Sequence, residues 1–523
     1  MARSAQPVRL LPGWIGLAAV LALTLGPLIP LGLQAGAAPG FGGPEWGALR
    51  FTLLQSGLSA GLSCLGGVVL ARALSRQRFP GRRLLLSVMG APFILPAIVA
   101  VLALSAVWGR SGILSDVLAA LGLGRLDIYG LPGVVLAHVF FNLPLVTRLV
   151  LQELAAVPAE HWRLAAHLGL SRGTVFRYIE WPAIRTALPG AFVLVFLLSV
   201  TSFAVVLALG GGPGAATLEL EIYQALSFDF DPGRAAMLAL AQYALCLSLG
   251  LVALRLARQA GFGPGLDLAL TRLDGAAYRR ADALVIGLGG LFLLTPLAML
   301  AARGVEGLIA GLPAATWPAA RLSLVVALSS SALGMALALA MAALIAGLRR
   351  AAPARARLIE AAGFLALTAS PFALGAGIFL ALRPVVDPFA LAVPVLIAVN
   401  AVMALPFSLR ILLPALERVE ADYGRLAASL GLAGWSRLRY LTLPRLRRPA
   451  GFAAGLAAAF SMGDLGVIAL FAPPDLATLP LAIHRLMGAY RMQAAMGVAL
   501  MLVGLCLVIF VVFERLGAAD DRA

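Results

Sequence analysis

Asp464 stands within the apolar run 449–471, in the string Ser461-Met462-Gly463-Asp464-Leu465-Gly466. A charge at mid-bilayer costs about 2.5–3.5 kcal/mol on insertion scales, so a carboxylate there is a candidate for attracting or passing a charged solute. The competing reading is a structural carboxylate hydrogen-bonded to neighbouring helices beside Gly463 and Gly466. Other reactive groups are scattered. His138, His161, His167 and His484 have no shared spacing that would hold a metal ion. Cys64, Cys246 and Cys506 sit singly in separate apolar runs, as small buried residues do. No Ser/His/Asp set, paired carboxylates or metal-ligand cluster stands out, so no catalytic residue and no metal site is assigned. Every basic residue is Arg. A standard P-loop needs a Lys on the nucleotide phosphates, so any ATP used must be bound by another chain.

The elements around Asp464 are those of a membrane protein. The chain has 523 residues, of which 61% are hydrophobic and 12% charged, with a mean hydropathy of +0.96. A soluble domain carries about 25% charged residues. A helix needs about 20 apolar residues to cross a bilayer. Twelve runs qualify: 13–35, 51–73, 84–108, 131–152, 188–209, 235–256, 283–302, 321–347, 361–382, 391–412, 449–471 and 494–513. They divide into halves 1–257 and 283–523, joined by a polar linker at 258–282. The net charge of +16 first suggests nucleic acid as a partner. Its distribution argues for a bilayer instead. With both termini inside, the basic turns at 72–83 and 349–357 and most other Arg residues fall on one face, and the far face is near neutral. The first run is read as a retained helix, not a removed signal peptide.

A polar stretch interrupts this apolar pattern twice. Arg163-Leu164-Ala165-Ala166-His167-Leu168-Gly169-Leu170 returns 262 residues later as Arg425-Leu426-Ala427-Ala428-Ser429-Leu430-Gly431-Leu432. The register holds through Arg177-Tyr178 and Arg439-Tyr440, Pro182 and Pro444, and upstream through Pro144 and Pro406, Arg148 and Arg410. The chain is therefore two fused copies of one membrane unit. Each copy of the loop, 154–183 and 416–445, reads as a helix, a bend at Gly169 or Gly431, and a second helix ended near Pro182 or Pro444. Such a hairpin suits insertion into a groove on another protein; singly, it would equally suit an interfacial helix on lipid headgroups.

The two loops resemble the cytoplasmic loop of ABC importer permeases, in which Glu-Ala-Ala precedes a Gly, an Ile and a Leu-Pro at fixed spacing. Gly169 is followed by Ile179 and Trp181-Pro182, and Gly431 by Leu441 and Leu443-Pro444. Arg163 and Arg425 stand where the family has Glu, and the Ala pairs Ala165-Ala166 and Ala427-Ala428 are displaced by one residue. The strings 78–82, 138–144, 210–213, 222–229, 434–438 and 461–466 are similar to permeases of thiamine and thiamine-pyrophosphate importers. The resemblance implies an all-α integral membrane protein of two six-helix type I halves in the bacterial inner membrane. It implies two copies of an ATP-binding subunit docked on the loops, with ATP and magnesium on that partner and no cofactor on this chain. It further implies a periplasmic substrate-binding protein, and thiamine or a thiamine phosphate as cargo, whose thiazolium cation Asp464 would attract. The loop residues from Arg163 to Pro182 and from Arg425 to Pro444 would then couple to the ATPase.

Asn142, Ser202, Asn400 and Ser461 join Asp464 as substrate-path candidates, Ser202 because it matches Asp464 in the first half. Asn142 and Asn400 read equally as interhelical hydrogen-bond partners. Arg148 and Arg410 are expected to snorkel to the interface. Glu219, Glu221, Asp229 and Asp231 form an acidic stretch in an outer segment, either meeting the binding protein or simply solvated. Two other functions compete. A ferric-iron permease shares the fused layout, though the spans offer few iron ligands. A proton-coupled secondary transporter also has twelve spans, but should carry more ionisable relay residues than Asp464 alone.

Overall fold

The computed structural model describes residues 11–36, 40–90, 95–210, 212–256 and 276–518. Most of the expected linker, up to residue 275, lies outside them, and residues 276–282 open a helix. The first half contains α1 (Leu11–Leu25), α2 (Leu28–Ala35), α3 (Gly43–Arg76), α4 (Arg82–Val88), α5 (Ala97–Trp108), α6 (Ile113–Ala120), α7 (Leu131–Ala156), α8 (Ala159–His167), α9 (Arg172–Val175), α10 (Trp181–Val200), α11 (Phe203–Leu209), α12 (Leu218–Ser227) and α13 (Pro232–Leu256). The second contains α14 (Ala276–Ile309), α15 (Thr316–Ala351), α16 (Pro353–Phe364), α17 (Pro371–Leu382), α18 (Ala392–Ser429), α19 (Gly434–Arg437), α20 (Leu443–Met462), α21 (Gly466–Phe471), α22 (Leu479–Gly488) and α23 (Met492–Ala518).

Eleven helical stretches are long and apolar enough to cross a bilayer, and the shorter α17 supplies the apolar part of a twelfth crossing with α16. Among the described residues the protein is thus all-α and multi-pass, with about twelve membrane crossings. Several crossings expected to be continuous are interrupted. Gly26 and Pro27 part α1 from α2; Thr201 and Ser202 part α10 from α11; residues 463–465 part α20 from α21. Ser370, held extended before Pro371, parts α17 from the turn that follows α16.

The halves are built alike and interlock. α3 packs on α7 and α10; its counterpart α15 packs on α18 and α20. Each half's first helix reaches the other half: α1 lies against α15, α16 and α18, while α14 lies against α3 and α5 besides α23 of its own half. Lipid gives little hydrophobic drive between helices, so contact depends on small residues that admit a neighbour. A Cβ on Gly67 of α3 would lie 2.7 Å from Val146 Cβ of α7, and one on Gly334 of α15 would lie 3.0 Å from the Ala401 carbonyl of α18. Large apolar side chains such as Leu284, Leu288 and Leu291 of α14 stay exposed along one helix face, as a lipid-facing stripe requires.

Gly67→Ala should therefore push α3 off α7 and destabilise the fold by about 1–3 kcal/mol. Gly47→Ala, on the same helix with nothing within 4 Å, should be neutral. Thermal unfolding of the detergent-purified variants measures the difference; equal melting temperatures would refute the packing argument.

Candidate functional site

The repeated loops form twin hairpins whose bends are closed by the same hydrogen bonds. Gly169 and Gly431 adopt φ of +57° and +67°, where a side chain is strained. Leu170 N–H donates to the Ala165 carbonyl at 3.0 Å and Gly169 N–H to Ala166 at 3.2 Å. Leu432 N–H donates to Ala427 at 2.9 Å and Gly431 N–H to Ala428 at 3.2 Å. This paired pattern closes a helix with a left-handed glycine and satisfies its last carbonyls. The repeated Leu-Gly-Leu is thus a helix stop. Ala165 and Ala427 are buried, Ala166 and Ala428 exposed. Arg163 and Arg425 are exposed, and so are Leu164, Leu168 and Tyr178 with their counterparts Leu426, Leu430 and Tyr440. Each hairpin presents the same uncovered apolar face.

Neither second helix ends at its proline, contrary to the sequence expectation. A wide turn spans Phe176–Glu180 and Leu438–Thr442, where Trp181 N–H reaches back five residues to Phe176 and Leu443 N–H to Leu438. Pro182 and Pro444 follow in the first turn of α10 and α20. The wide turn frees the carbonyl that a proline ring would strike, so the chain runs on into the membrane. Ile179 and Leu441, half-buried, lie within this turn. The hairpins differ at their entry. Pro158 separates α7 from α8, whereas Glu420 at the matching position lets α18 continue to Ser429.

Their anchoring differs too. Glu180, only 2% exposed, accepts from Arg72 Nε at 2.8 Å. Arg76 lies 3.8 Å from Glu180 and pairs with buried Asp282 of α14 at 2.6 Å; Arg172 reaches Asp282 at 3.6 Å. The first hairpin is thereby tied to α3 and to the opening helix of the second half. Thr442 replaces Glu180 in the second hairpin, which is held by Arg437 and Glu420 at 2.5 Å. Arg148 is half-buried and Arg410 exposed, at the same level of α7 and α18.

A second polar region lies deep between the helices. Asn400 donates to Ser461 Oγ at 3.0 Å, clasping α18 to α20. The matching pair in the first half is His138 and Ser199; His138 instead meets Ser59 of α3 at 3.2 Å. Asn142 is buried on α7 but matches Ala404, so it has no counterpart. Ser202 precedes α11 without a side-chain cap, whereas Asp464 Oδ1 accepts Gly466 N–H at 3.2 Å ahead of α21. Asp464 thus uses one carboxylate oxygen to cap α21, with its second oxygen left over.

The acidic outer stretch divides: Asp229 and Asp231 lie in an exposed turn, but Glu219 and Glu221 do not. Residues 218–227 form α12, which folds back among the spans with Glu219 and Glu221 buried. Its first N–H is held by Thr52 Oγ1 at 3.0 Å, as that of α22 is by Ser323 Oγ at 2.8 Å. Arg234 pairs with Glu221 at 2.5 Å, Glu45 at 2.7 Å and Asp229 at 3.0 Å. Beside α12, a cleft of about 310 Å³ is lined by Val206, Leu220, Tyr223, Phe228 and His484, among others.

The family model for binding-protein-dependent transport system inner membrane components matches residues 63–260. The chain is 40% identical to a thiamine transport system permease of Brucella abortus (strain 2308), covering 98% of this chain and 96% of that one. It is 40% identical to the permease of the same description from Salmonella typhimurium and 39% to that of Escherichia coli (strain K12), each over 99% of this chain and 98% of the relative. The chain belongs to this family of transport permeases.

The family places the chain in the inner membrane and makes it a transport subunit. Within that frame the deep polar region is where sequence reasoning missed most. Glu219 reads from the sequence as part of an outer acidic stretch, while Ser370, Gln242 and Gln55, whose amide donates to the Ser199 carbonyl at 3.0 Å, carry no signal in it. Glu180→Gln should weaken the hold on Arg72, while Arg76 keeps Asp282, costing about 1–3 kcal/mol. Hydrogen exchange should rise in residues 172–180, and not in the second hairpin. Unchanged exchange there would show that the network does not anchor the hairpin.

Proposed function

We propose that this chain is the membrane gate of an ATP-driven importer that moves thiamine or its phosphate esters from periplasm to cytoplasm. The near-full-length identity to thiamine transport permeases carries the choice of substrate. The twin uncovered hairpins support the coupling. A helical hairpin that exposes Leu164 and Leu168 in one half and Leu426 and Leu430 in the other offers two equivalent seats for two copies of an ATP-binding subunit.

In this reading both termini and both hairpins face the cytoplasm, in keeping with the arginine-rich turns beside them. A substrate-binding protein delivers cargo to the opposite face. ATP and magnesium reside on the partner, whose closure draws the hairpins together and reverses the side to which the spans open. The partner's ATP can bias that change only through contacts that differ between the two states, which puts the hairpin faces at the centre of coupling.

The test is uptake of labelled thiamine into proteoliposomes holding this chain, the ATPase and the binding protein. ATP-dependent uptake is the expected result; uptake without ATPase, or of ferric iron in place of thiamine, would overturn the proposal. Changing Leu164, Leu168, Leu426 and Leu430 together to Ser should abolish co-purification of the ATPase while the chain still inserts. Gly169→Val with Gly431→Val should leave the ATPase bound but cut uptake per ATP hydrolysed at least about tenfold, because the bend is strained while the surrounding space is open. Normal uptake by that double variant would reject hairpin coupling.

A further inference from the structure

Several spans are interrupted near one level, and that level is where the two halves meet. Gln242 lies ten residues into α13, about 15 Å along its axis from Pro232. Its amide donates to the Val200 carbonyl, at the α10 break, at 3.2 Å. It also approaches Glu219 Oε1 at 3.5 Å. Ser370, at the start of α17, donates to the same Glu219 oxygen. Asp464 lies at the α20 break, where its Oδ1 accepts from Gly466, a residue set against Phe203 and Phe372. Non-helical backbone at this depth is tolerated where it lines a cavity or is buried in protein, and interrupted helices at mid-membrane are where transporters hold cargo.

The two carboxylates come from different halves and are incompletely satisfied. Glu219 is 1% exposed, and its Oε2 has no hydrogen-bond partner. Asp464 Oδ2 is likewise buried and unpartnered. Among the described residues no guanidinium pairs with either. A buried carboxylate left in this state is costly, and the cost is removed by a bound proton or by a cation that displaces it. Aromatic rings from both halves complete the surroundings. Phe203 stacks on Phe372 at 4.6 Å, and Tyr223 stands edge-on to Phe203 at 5.4 Å and to Phe372 at 6.0 Å. Gly466, whose amide holds Asp464, faces both Phe203 and Phe372. Tyr223 also lines the 310 Å³ cleft, so the rings join that cleft to the carboxylates.

We infer that Glu219 and Asp464, with Phe203, Tyr223 and Phe372, form a subsite for a flat organic cation on the route between the halves, which rests on the thiamine reading in that a thiazolium is such a cation. The carboxylates supply the counter-charge and the rings supply faces for cation–π contact. Parting of the halves would open the Phe203–Phe372 stack and expose both free oxygens together.

The test is equilibrium binding of labelled thiamine to the full chain in lipid nanodiscs, competed by 3-deazathiamine, whose ring is neutral. Thiamine should bind at least about tenfold more tightly than the neutral analogue. Glu219→Gln and Asp464→Asn should each lower thiamine affinity about tenfold and leave that for the analogue unchanged. Equal affinity for the two compounds in the unaltered chain overturns the subsite, whatever the folding of the variants. So does an absence of thiamine binding, or variants that retain full affinity. Uptake by the unaltered complex separates the cases: uptake with no cation preference removes the subsite alone, whereas no thiamine uptake removes the substrate reading beneath it.

Discussion

Lipid offers no hydrogen bonds, so every backbone group a span leaves unpaired must find a protein partner. The rest of this structure follows from that constraint. Breaks near Val200, Ser370 and Asp464 survive because Gln242 donates to the Val200 carbonyl, Ser370 Oγ accepts the Phe372 and Ala373 N–H groups, and Asp464 accepts the Gly466 N–H. The same rule explains α12 and α22. Each is a short helix turned back among the spans, and each has its first N–H held by a hydroxyl on α3 or α15. The interlocked first helices α1 and α14 seal the bundle from the sides.

Much of this was legible in the sequence. The 262-residue repeat gave two halves, two hairpins and their glycine bends, because backbone that needs a left-handed residue leaves a glycine in both copies. Hydropathy located the crossings but averaged over their interruptions; Thr201-Ser202 and Asp464-Leu465 carry no proline to mark a break. Prolines misled in the other direction. Pro182 and Pro444 read as stops, yet a wide turn before each lets the helix run on. Glu219 and Glu221 were hidden by composition, since acidic residues between apolar runs look like solvated loop until tertiary packing buries them.

The site was only partly readable for a related reason. Asp464 could be singled out from its apolar neighbours, and Ser202 from the repeat. Asp464's own hydrogen-bond partner is nearby Gly466, but the polar groups around it are joined across distant elements, as when Ser370 meets Glu219 across 151 positions. The asymmetry of the hairpins was visible but unread: Pro158 against Glu420, and Glu180 against Thr442, are single differences at matched positions. They leave the first hairpin jointed and pinned to α14, and the second a stiff continuation of α18.

Covalent fusion of the halves has one further effect. A pair of identical subunits would set the same side chain at 202 and at 464, and a molecule lodged between them would face two mirror-like poses of equal energy. Serine on one side and aspartate on the other remove that degeneracy. With a hydroxyl at 202 and a carboxylate at 464, the two faces of the seam are electrically unlike at that level.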